Sequence, residues 1–79
     1  MPNKEIVTLS VQRENNSIVG KTIEKSGIGK NFGVTVLTIK RGVNYITEVQ
    51  PDTMIKQGDL LYLFGNPSNI NKLNQHLSL

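Results

Sequence analysis

The basic residues of this 79-residue chain are spaced in a way that favours binding of an anion. Lys25, Lys30, Lys40 and Arg41 lie within residues 25–47, a stretch that contains no aspartate or glutamate. A local excess of positive charge suits a ligand that carries phosphate. A second interpretation fits the same residues, because lysine and arginine also keep turns and strand ends solvated. The residues alone leave both interpretations open.

Groups that could carry out catalysis do not come together in the sequence. An active site needs a nucleophile with a base, a pair of carboxylates or a metal site. The chain has no cysteine, its single histidine is His76, and its six acidic residues are scattered. Glu48 and Asp52 come nearest to a carboxylate pair, but a strand end and a turn favour a solvating role for them. We therefore expect no enzyme activity, no metal site and no cofactor.

Length and composition indicate one small domain, which we place at residues 1–79. A core of this size supplies only about 3–5 kcal/mol, so oligomerisation or ligand binding is the expected further source of stability. A net charge of +3 with two tyrosines and two phenylalanines is too little for a nucleic-acid surface. No apolar run reaches membrane-spanning length and the first residues lack the apolar region of a signal peptide, which predicts a cytoplasmic location.

The stretch 33–41 is the strongest strand signal, and we expect it to be the central strand of a sheet. β-Branched residues dominate it, and they favour a pleated surface over a helix. By simple alternation Val36 falls on one face and Ile39 on the other, so both faces are expected to be covered. We also expect both faces of the almost wholly apolar run 60–64 to be covered, either by the chain itself or by a partner.

The whole pattern predicts an α+β fold with one sheet and two helices, in the order β-α-β-β-β-α. Strands are read from alternating apolar residues and helices from apolar residues three or four apart. The predicted elements are a strand over 5–12, a helix over 18–27, strands over 33–41, 44–49 and 60–64, and a helix over 69–77 with Ser68 as its N-cap.

Three glycines between the first helix and the central strand invite comparison with a dinucleotide-binding loop. Gly27, Gly29 and Gly33 follow a predicted helix and precede a strand, whereas that loop follows a strand and opens a helix. Their spacing is also one residue too long. We therefore expect a helix cap followed by a turn, with Ile28 and Phe32 anchoring the turn in the core or lining a pocket.

Five short motifs occur in order along the chain. They are GKTI at 20–23, FGVTV at 32–36, KRG at 40–42, PDTMI at 51–55 and QGDLL at 57–61, followed by an apolar strand and Gly65-Asn66. This series resembles the C-terminal domain of the family that regulates potassium conductance, called RCK_C or TrkA_C. The resemblance covers nearly the whole chain.

The resemblance implies a regulatory ligand-binding module that forms a twofold homodimer. Domains of this family belong to potassium channel gating rings, cation/proton antiporters or transcription regulators, and several bacterial members bind cyclic di-AMP at the dimer interface. We accordingly expect cyclic di-AMP as the ligand and a membrane transporter module as the partner, which would place the domain at the inner face of the cell membrane. The chain is then expected to be a fragment of a longer protein or a small subunit.

Two alternatives remain beside this interpretation. One is a structural dimerisation module that binds no ligand. The other is the sensor domain of a transcription regulator of potassium or osmolyte uptake.

The resemblance also implies where the ligand binds. The family's nucleotide-binding wall corresponds to the link between the first helix and the central strand, with Arg41 as an alternative contact for the anion. Members that bind cyclic di-AMP often carry an arginine ahead of the F/Y-G pair, where this chain has Gly29-Lys30. A lysine supplies a point charge without the bidentate fork of arginine. The expected ligand-binding residues are Ile28, Gly29, Lys30, Asn31, Phe32, Val34, Thr35 and Arg41.

Overall fold

The structure is a computed structural model that describes residues 3–78. Within that range, the chain forms four strands and three helices. In order they are β1 Glu5–Ser10, α1 Ile23–Ser26, α2 Ile28–Phe32, β2 Thr35–Arg41, β3 Asn44–Ile46, β4 Leu60–Gly65 and α3 Pro67–Leu77.

The strands form one antiparallel sheet in the order β1-β4-β2-β3. This arrangement confirms the α+β class, the single sheet and the internal position of β2. The hairpin between β2 and β3 turns through Gly42 and Val43, because Arg41 pairs directly with Asn44. No helix among the described residues is long and apolar enough to cross a lipid bilayer.

The segment 18–27 was expected to be one helix, and this prediction is wrong in its first half. Residues 18–20 lie in a turn, and α1 begins only after Thr22, whose hydroxyl accepts the N–H of Lys25 at 3.1 Å. The reason is a competing long-range partner: the N–H of Gly20 donates to the carbonyl of Ile55 at 2.8 Å, and Thr22 bridges to Met54. These contacts hold the backbone in a turn followed by an extended Thr22, where the periodicity favoured a helix.

The expected turn after Gly27 is instead a second short helix, α2, so the structure has three helices where two were predicted. Gly27 ends α1 with a left-handed φ of 76°, a conformation that glycine adopts without strain. Its carbonyl then accepts the N–H of Asn31 at 2.8 Å, which forms the first turn of α2. A second left-handed glycine, Gly33, ends α2 and directs the chain into β2.

The terminal helix starts earlier than predicted. Asn66, not Ser68, is its N-cap, and the Asn66 side chain accepts the N–H of Asn69 at 2.7 Å. Pro67 follows at the first helical position, where its missing N–H is not needed. The predicted apolar face is confirmed, because Ile70, Leu73 and Leu77 are buried in the core.

A bulge in β2 overturns the expectation that both faces of this strand are covered. The register with β4 shifts between Val36 and Thr38, so Leu37 is an extra residue. Val36 and Ile39 are both buried as a result, although an odd spacing in a regular strand would place them on opposite faces. The core therefore lies on one side of the sheet only.

Strand β4 shows the same one-sided burial. Leu61 and Leu63 are fully buried, whereas Leu60, Tyr62 and Phe64 on the other side are half-buried. All three helices contribute to the buried side instead, because α2 and α3 place side chains in the cluster that contains Leu61 and Leu63, and Ile23 of α1 packs against this cluster. Within the described part of the chain, the expected second cover of this apolar strand is missing.

Asp59 is a carboxylate buried beside the sheet, with only 1% of its surface exposed. The Arg41 guanidinium donates to both of its oxygens, Nε at 2.8 Å and Nη2 at 2.7 Å, and the N–H of Lys56 donates at 2.9 Å. Arg41 Nη2 also donates to the carbonyl of Met54 at 2.9 Å. This clasp, which we define as Arg41 with Asp59 and the Met54 carbonyl, fastens the loop after β3 to the end of β2.

The clasp fixes the protonation state of both partners. Burial by itself raises the pKa of Asp59, but the hydrogen bonds from Arg41 and Lys56 and the neighbouring positive charges outweigh it, so the pKa lies below its ordinary value. The hydrogen bond to Asp59 raises the pKa of Arg41. Asp59 is therefore ionised at neutral pH.

Asp59→Asn should lower the free energy of unfolding at pH 7 by about 2 kcal/mol, because a buried ion pair is broken and Arg41 loses a bidentate acceptor. The contribution of Asp59 is complete above the ordinary aspartate pKa of about 4 and is lost as the pH falls through the lower pKa of the folded state. Urea unfolding of both proteins at pH 7 and pH 2.5 measures the difference. A gap of equal size at both pH values would contradict the assignment.

Candidate functional site

A cleft of about 410 Å³ opens between α1 and the start of β2. It exists because β3 pairs only with Ile39–Arg41, after which the chain leaves the sheet at Ile46. The following segment, 49–51, returns beside α1 and not beside β2. The space between this segment and the first residues of β2 is the cleft.

One wall consists of α1 and the returning segment. Ile23 and Glu24 line it from the helix, and Val49, Gln50 and Pro51 line it from the loop. The two parts are hydrogen-bonded to each other, since the N–H of Glu24 donates to the carbonyl of Pro51 at 2.9 Å and that of Ile23 to Thr53 at 2.8 Å. The first amides of α1 are thus occupied, and this wall is held in place by backbone contacts.

The opposite wall combines α2 with the start of β2. Gly29 and Lys30 line it from the helix, and Val34, Thr35 and Val36 from the strand. The N–H of Val34 donates to the carbonyl of Ile28 at 3.2 Å, which keeps the end of α2 against the strand. Because no described strand pairs with Thr35–Leu37 on the side away from β4, the backbone edge of these residues is open to form hydrogen bonds.

The chemistry of the cleft is mainly apolar with one charge of each sign. Ile23 and Val49 provide aliphatic surface of the kind that holds a flat ring, while Lys30 and Glu24 are exposed at the margin. Lys30 attracts an anion and Glu24 opposes it. No cluster of three or more histidine, cysteine or acidic side chains that could hold a metal ion occurs within residues 3–78.

Four of the eight expected ligand-binding residues come together at this cleft: Gly29, Lys30, Val34 and Thr35. Ile28 lies next to them in sequence, but its side chain is fully buried and belongs to the core. In this conformation Ile28 has no surface to offer a ligand.

The other expected residues lie elsewhere. Asn31 is exposed outside the lining of the cleft. Phe32 is half-buried, and its ring packs against His76 with ring centroids 5.2 Å apart. Arg41 is at the opposite end of β2, where its guanidinium is engaged by Asp59. Arg41 is therefore engaged in an ion pair within the fold, and its guanidinium is not free to bind an anion at the cleft.

Six residues of the lining were missed from the sequence: Ile23, Glu24, Val36, Val49, Gln50 and Pro51. Val36 was assigned to the strand alone, and the turn was assigned only to chain reversal. No local sequence pattern predicts that the loop containing Pro51 and Thr53 hydrogen-bonds to α1. Only the pairing of distant backbone groups places these residues together.

The model of the TrkA-C domain family matches residues 7–78 of this chain. The chain belongs to the TrkA-C domain family. The resemblance inferred from the five motifs is thereby confirmed. A curated relative is Potassium channel protein 1 from Methanocaldococcus jannaschii, which is 36% identical over 64 residues. That match covers 81% of this chain and 19% of the relative, so this TrkA-C domain spans about a fifth of the channel protein's length.

Solved structures share the fold. The RCK C domain of the potassium transport protein KtrA in complex with cyclic diadenosine monophosphate has a TM-score of 0.80 at 25% identity, covering 92% of this chain and 82% of that one. The RCK_C domain dimer of S. agalactiae BusR with c-di-AMP has a TM-score of 0.81 at 19% identity, covering 92% and 95%. BusR with its busAB-promotor DNA has a TM-score of 0.73 at 20% identity, covering 99% and 37%.

Substituting two neighbouring glycines tests how the second wall is built. Gly27→Ala should lower the free energy of unfolding by about 1–2 kcal/mol, because its φ of 76° is left-handed and a Cβ would collide with the Asn31 side chain. Gly29→Ala should leave stability unchanged or raise it by up to about 1 kcal/mol, because a Cβ there meets only the Val34 carbonyl at 3.7 Å. Thermal unfolding compares them, and equal losses would contradict this account.

Proposed function

We propose that this TrkA-C domain is the regulatory part of a potassium or cation/proton transporter, that it dimerises, and that it binds cyclic di-AMP at the cleft. The observation that carries the proposal is the position of the cleft. Gly29, Lys30, Val34 and Thr35, expected from the resemblance to contact the nucleotide, line one continuous wall of it. The RCK C domain of KtrA, which is 25% identical to this chain, has a solved structure in complex with this nucleotide.

The chemistry of the cleft supports a purine nucleotide. The partly exposed aliphatic side chains of Ile23 and Val49 face a space that accepts a flat base, and the open edge of β2 offers backbone donors and acceptors to its polar rim. Lys30 at the margin is placed to neutralise a phosphate. A cyclic dinucleotide has twofold symmetry, so two identical clefts in an isologous dimer would each take one base.

Ligand binding would control transport through a difference in affinity. A regulatory ligand shifts a transporter only if it binds one conformation more tightly than the other. The transport module that would show this response lies outside the 79 residues, and we place the domain beside the membrane through that module. No enzymatic turnover of the nucleotide is expected.

The parent protein is the main alternative within this proposal. The 36% identity to a potassium channel protein supports a transporter as the parent. The BusR structure with promoter DNA favours instead a sensor domain in a DNA-binding regulator. At 20% identity, however, the similarity to BusR supports a shared fold and not a shared function. Membrane spans or a winged helix encoded beside the chain would distinguish the two parents.

Titration calorimetry of the purified chain with cyclic di-AMP, cyclic di-GMP and ATP tests the ligand. We expect binding of cyclic di-AMP alone, at one nucleotide per two chains. Binding of none of the three would reject cyclic di-AMP as the ligand and leave a structural dimerisation module or a sensor of another ligand. Disappearance of cyclic di-AMP on incubation would reject a purely regulatory role.

The two charges at the cleft should act in opposite directions. Lys30→Gln should weaken cyclic di-AMP binding about tenfold, because a phosphate loses a cationic neighbour, and Glu24→Gln should strengthen it several-fold, because a repelling carboxylate is removed. Lys25→Gln is the matched control, since Lys25 is exposed on α1 but does not line the cleft. Equal effects of Lys25→Gln and Lys30→Gln would place the nucleotide elsewhere.

Gly29 is a position where affinity should increase. A side chain fits there, because the nearest atom to a Cβ is the Val34 carbonyl oxygen at 3.7 Å. Gly29→Arg should therefore tighten cyclic di-AMP binding about tenfold by adding a bidentate phosphate donor. Val43→Arg adds the same charge at the other end of β2 and serves as the control. If both variants gain equally, general attraction is responsible and the cleft is not.

A further inference from the structure

Two short stretches of backbone, 20–24 and 51–55, pair with each other beside the cleft. The hydrogen bonds between them, at 2.8 or 2.9 Å with the N–H donor first, are Gly20 to Ile55, Ile55 to Lys21, Ile23 to Thr53 and Glu24 to Pro51. We call this pair of segments the wall ladder. One end of it lines the cleft, through Ile23, Glu24 and Pro51.

Met54 lies in the middle of the wall ladder, opposite Thr22, with which it forms an antiparallel bridge. The hydrogen bonds on either side of this bridge run between the neighbours of the two residues. In such a non-hydrogen-bonded pair, the backbone groups of each residue point away from the partner segment. The carbonyl of Met54 therefore points out of the ladder and can accept a hydrogen bond from elsewhere.

Arg41 is the polar attachment of the wall ladder to the sheet. No backbone hydrogen bond among residues 3–78 joins the ladder to a strand of the sheet. Ile55 anchors it through apolar packing, because its side chain is fully buried in the core. Nη2 of Arg41, at the end of β2, adds a directional contact by donating to the carbonyl of Met54 at 2.9 Å.

Asp59 sets the direction in which Arg41 can donate. Its two oxygens accept from Nε at 2.8 Å and from Nη2 at 2.7 Å, so two bonds fix the plane of the guanidinium. Asp59 is itself held through its backbone, because its carbonyl accepts the N–H of Val11 at 2.8 Å and its N–H donates to Lys56 at 3.1 Å. The second N–H of Nη2 is then directed at Met54.

We propose that Arg41 and Asp59 are positioning residues for ligand binding at the cleft. They hold Met54, and the wall ladder carries this restraint to the residues that line the cleft, without either charged side chain touching the ligand. Because the other wall includes the start of β2, the clasp sets the spacing between the two walls, and a binding site needs that spacing to be held closely. The inference rests on the proposed function for its ligand and adds two residues outside the lining.

A direct contact between Arg41 and the anion is the competing role, and it predicts the opposite sign for one variant. If Arg41 bound the phosphate, Asp59→Asn would release the guanidinium and strengthen binding. If Arg41 positions the wall, Asp59→Asn weakens binding, although the variant carries one more positive charge. Arg41→Lys keeps the charge but lacks the planar fork that holds Asp59 and Met54 together, so it separates geometry from charge.

Titration calorimetry with cyclic di-AMP distinguishes the two roles. We expect the affinity to fall about tenfold for Arg41→Lys and for Asp59→Asn, because each loses a charge-assisted hydrogen bond that holds the wall. Ile70→Val is the matched control: it removes a methyl group from the buried face of α3 and should change the affinity by no more than about twofold. Circular dichroism checks that each variant is folded. Stronger binding by Asp59→Asn, or unchanged binding by both clasp variants, would overturn the proposal.

Amide hydrogen exchange tests the wall without any ligand. The N–H groups of Ile23 and Glu24 report opening of the wall ladder, whereas those of Leu61 and Leu63 report global unfolding, because β4 lies inside the sheet. Arg41→Lys should speed exchange of the ladder amides about tenfold more than exchange of the β4 amides. Ile70→Val should speed the β4 amides at least as much as the ladder amides. Equal acceleration of both sets by Arg41→Lys would reduce the clasp to a contribution to stability and overturn the proposal.

The two measurements separate this inference from the proposed function. If the wild-type chain binds no cyclic di-AMP, the proposed ligand is rejected, and the exchange rates still decide whether the clasp orders the wall of the cleft. If the wild-type chain binds and Arg41→Lys loosens the ladder without weakening binding, the ligand does not use this wall. That result would overturn the positioning role and leave the proposed function in place.

Discussion

A buried carboxylate can remain charged only when its oxygens accept hydrogen bonds or face a positive charge. The fold must supply such partners to Asp59. Its partners are Arg41 at the end of β2 and the N–H of Lys56. Through the Met54 carbonyl, the same guanidinium holds the loop that also hydrogen-bonds to α1. One wall of the cleft therefore depends on an ion pair at the far end of the strand that forms the other wall. This arrangement gives Arg41 a role in shaping the cleft without any contact with a ligand there.

The strands could be predicted because their signal is local. Alternation and β-branched residues located β1, β2 and β4 to within two residues at most of their ends. The bulge in β2 could not be predicted, because it arises from the register with β4 and not from any residue near Leu37. The bounds of the short helices could not be predicted for the same reason. A backbone hydrogen bond from Gly20 to Ile55 helps decide where α1 begins, and a left-handed glycine can either end a helix or open a turn.

The two walls of the candidate site differ in the same way in how far they could be predicted from the sequence. Its α2–β2 wall could be located from the resemblance because these residues are contiguous in sequence. Its α1–loop wall could not, since Glu24 and Pro51 meet only through a backbone hydrogen bond between distant segments. Spacing in sequence also gave no warning that Ile28 points into the core while Gly29 and Lys30 reach the cleft. In a helix of one turn, successive side chains point in different directions, and the packing partner selects among them.

A one-sided core is the feature that connects stability with function in this domain. The bulge directs Val36 and Ile39 to the same side, which leaves the opposite side of the sheet apolar and open. The start of β2 serves both sides of the sheet, because Val34 and Val36 are buried in the core while Thr35 lies on the open side and lines the cleft. The candidate site is thus built on the same strand whose other residues close the core. A substitution that disturbs the packing of β2 is therefore expected to disturb the cleft as well.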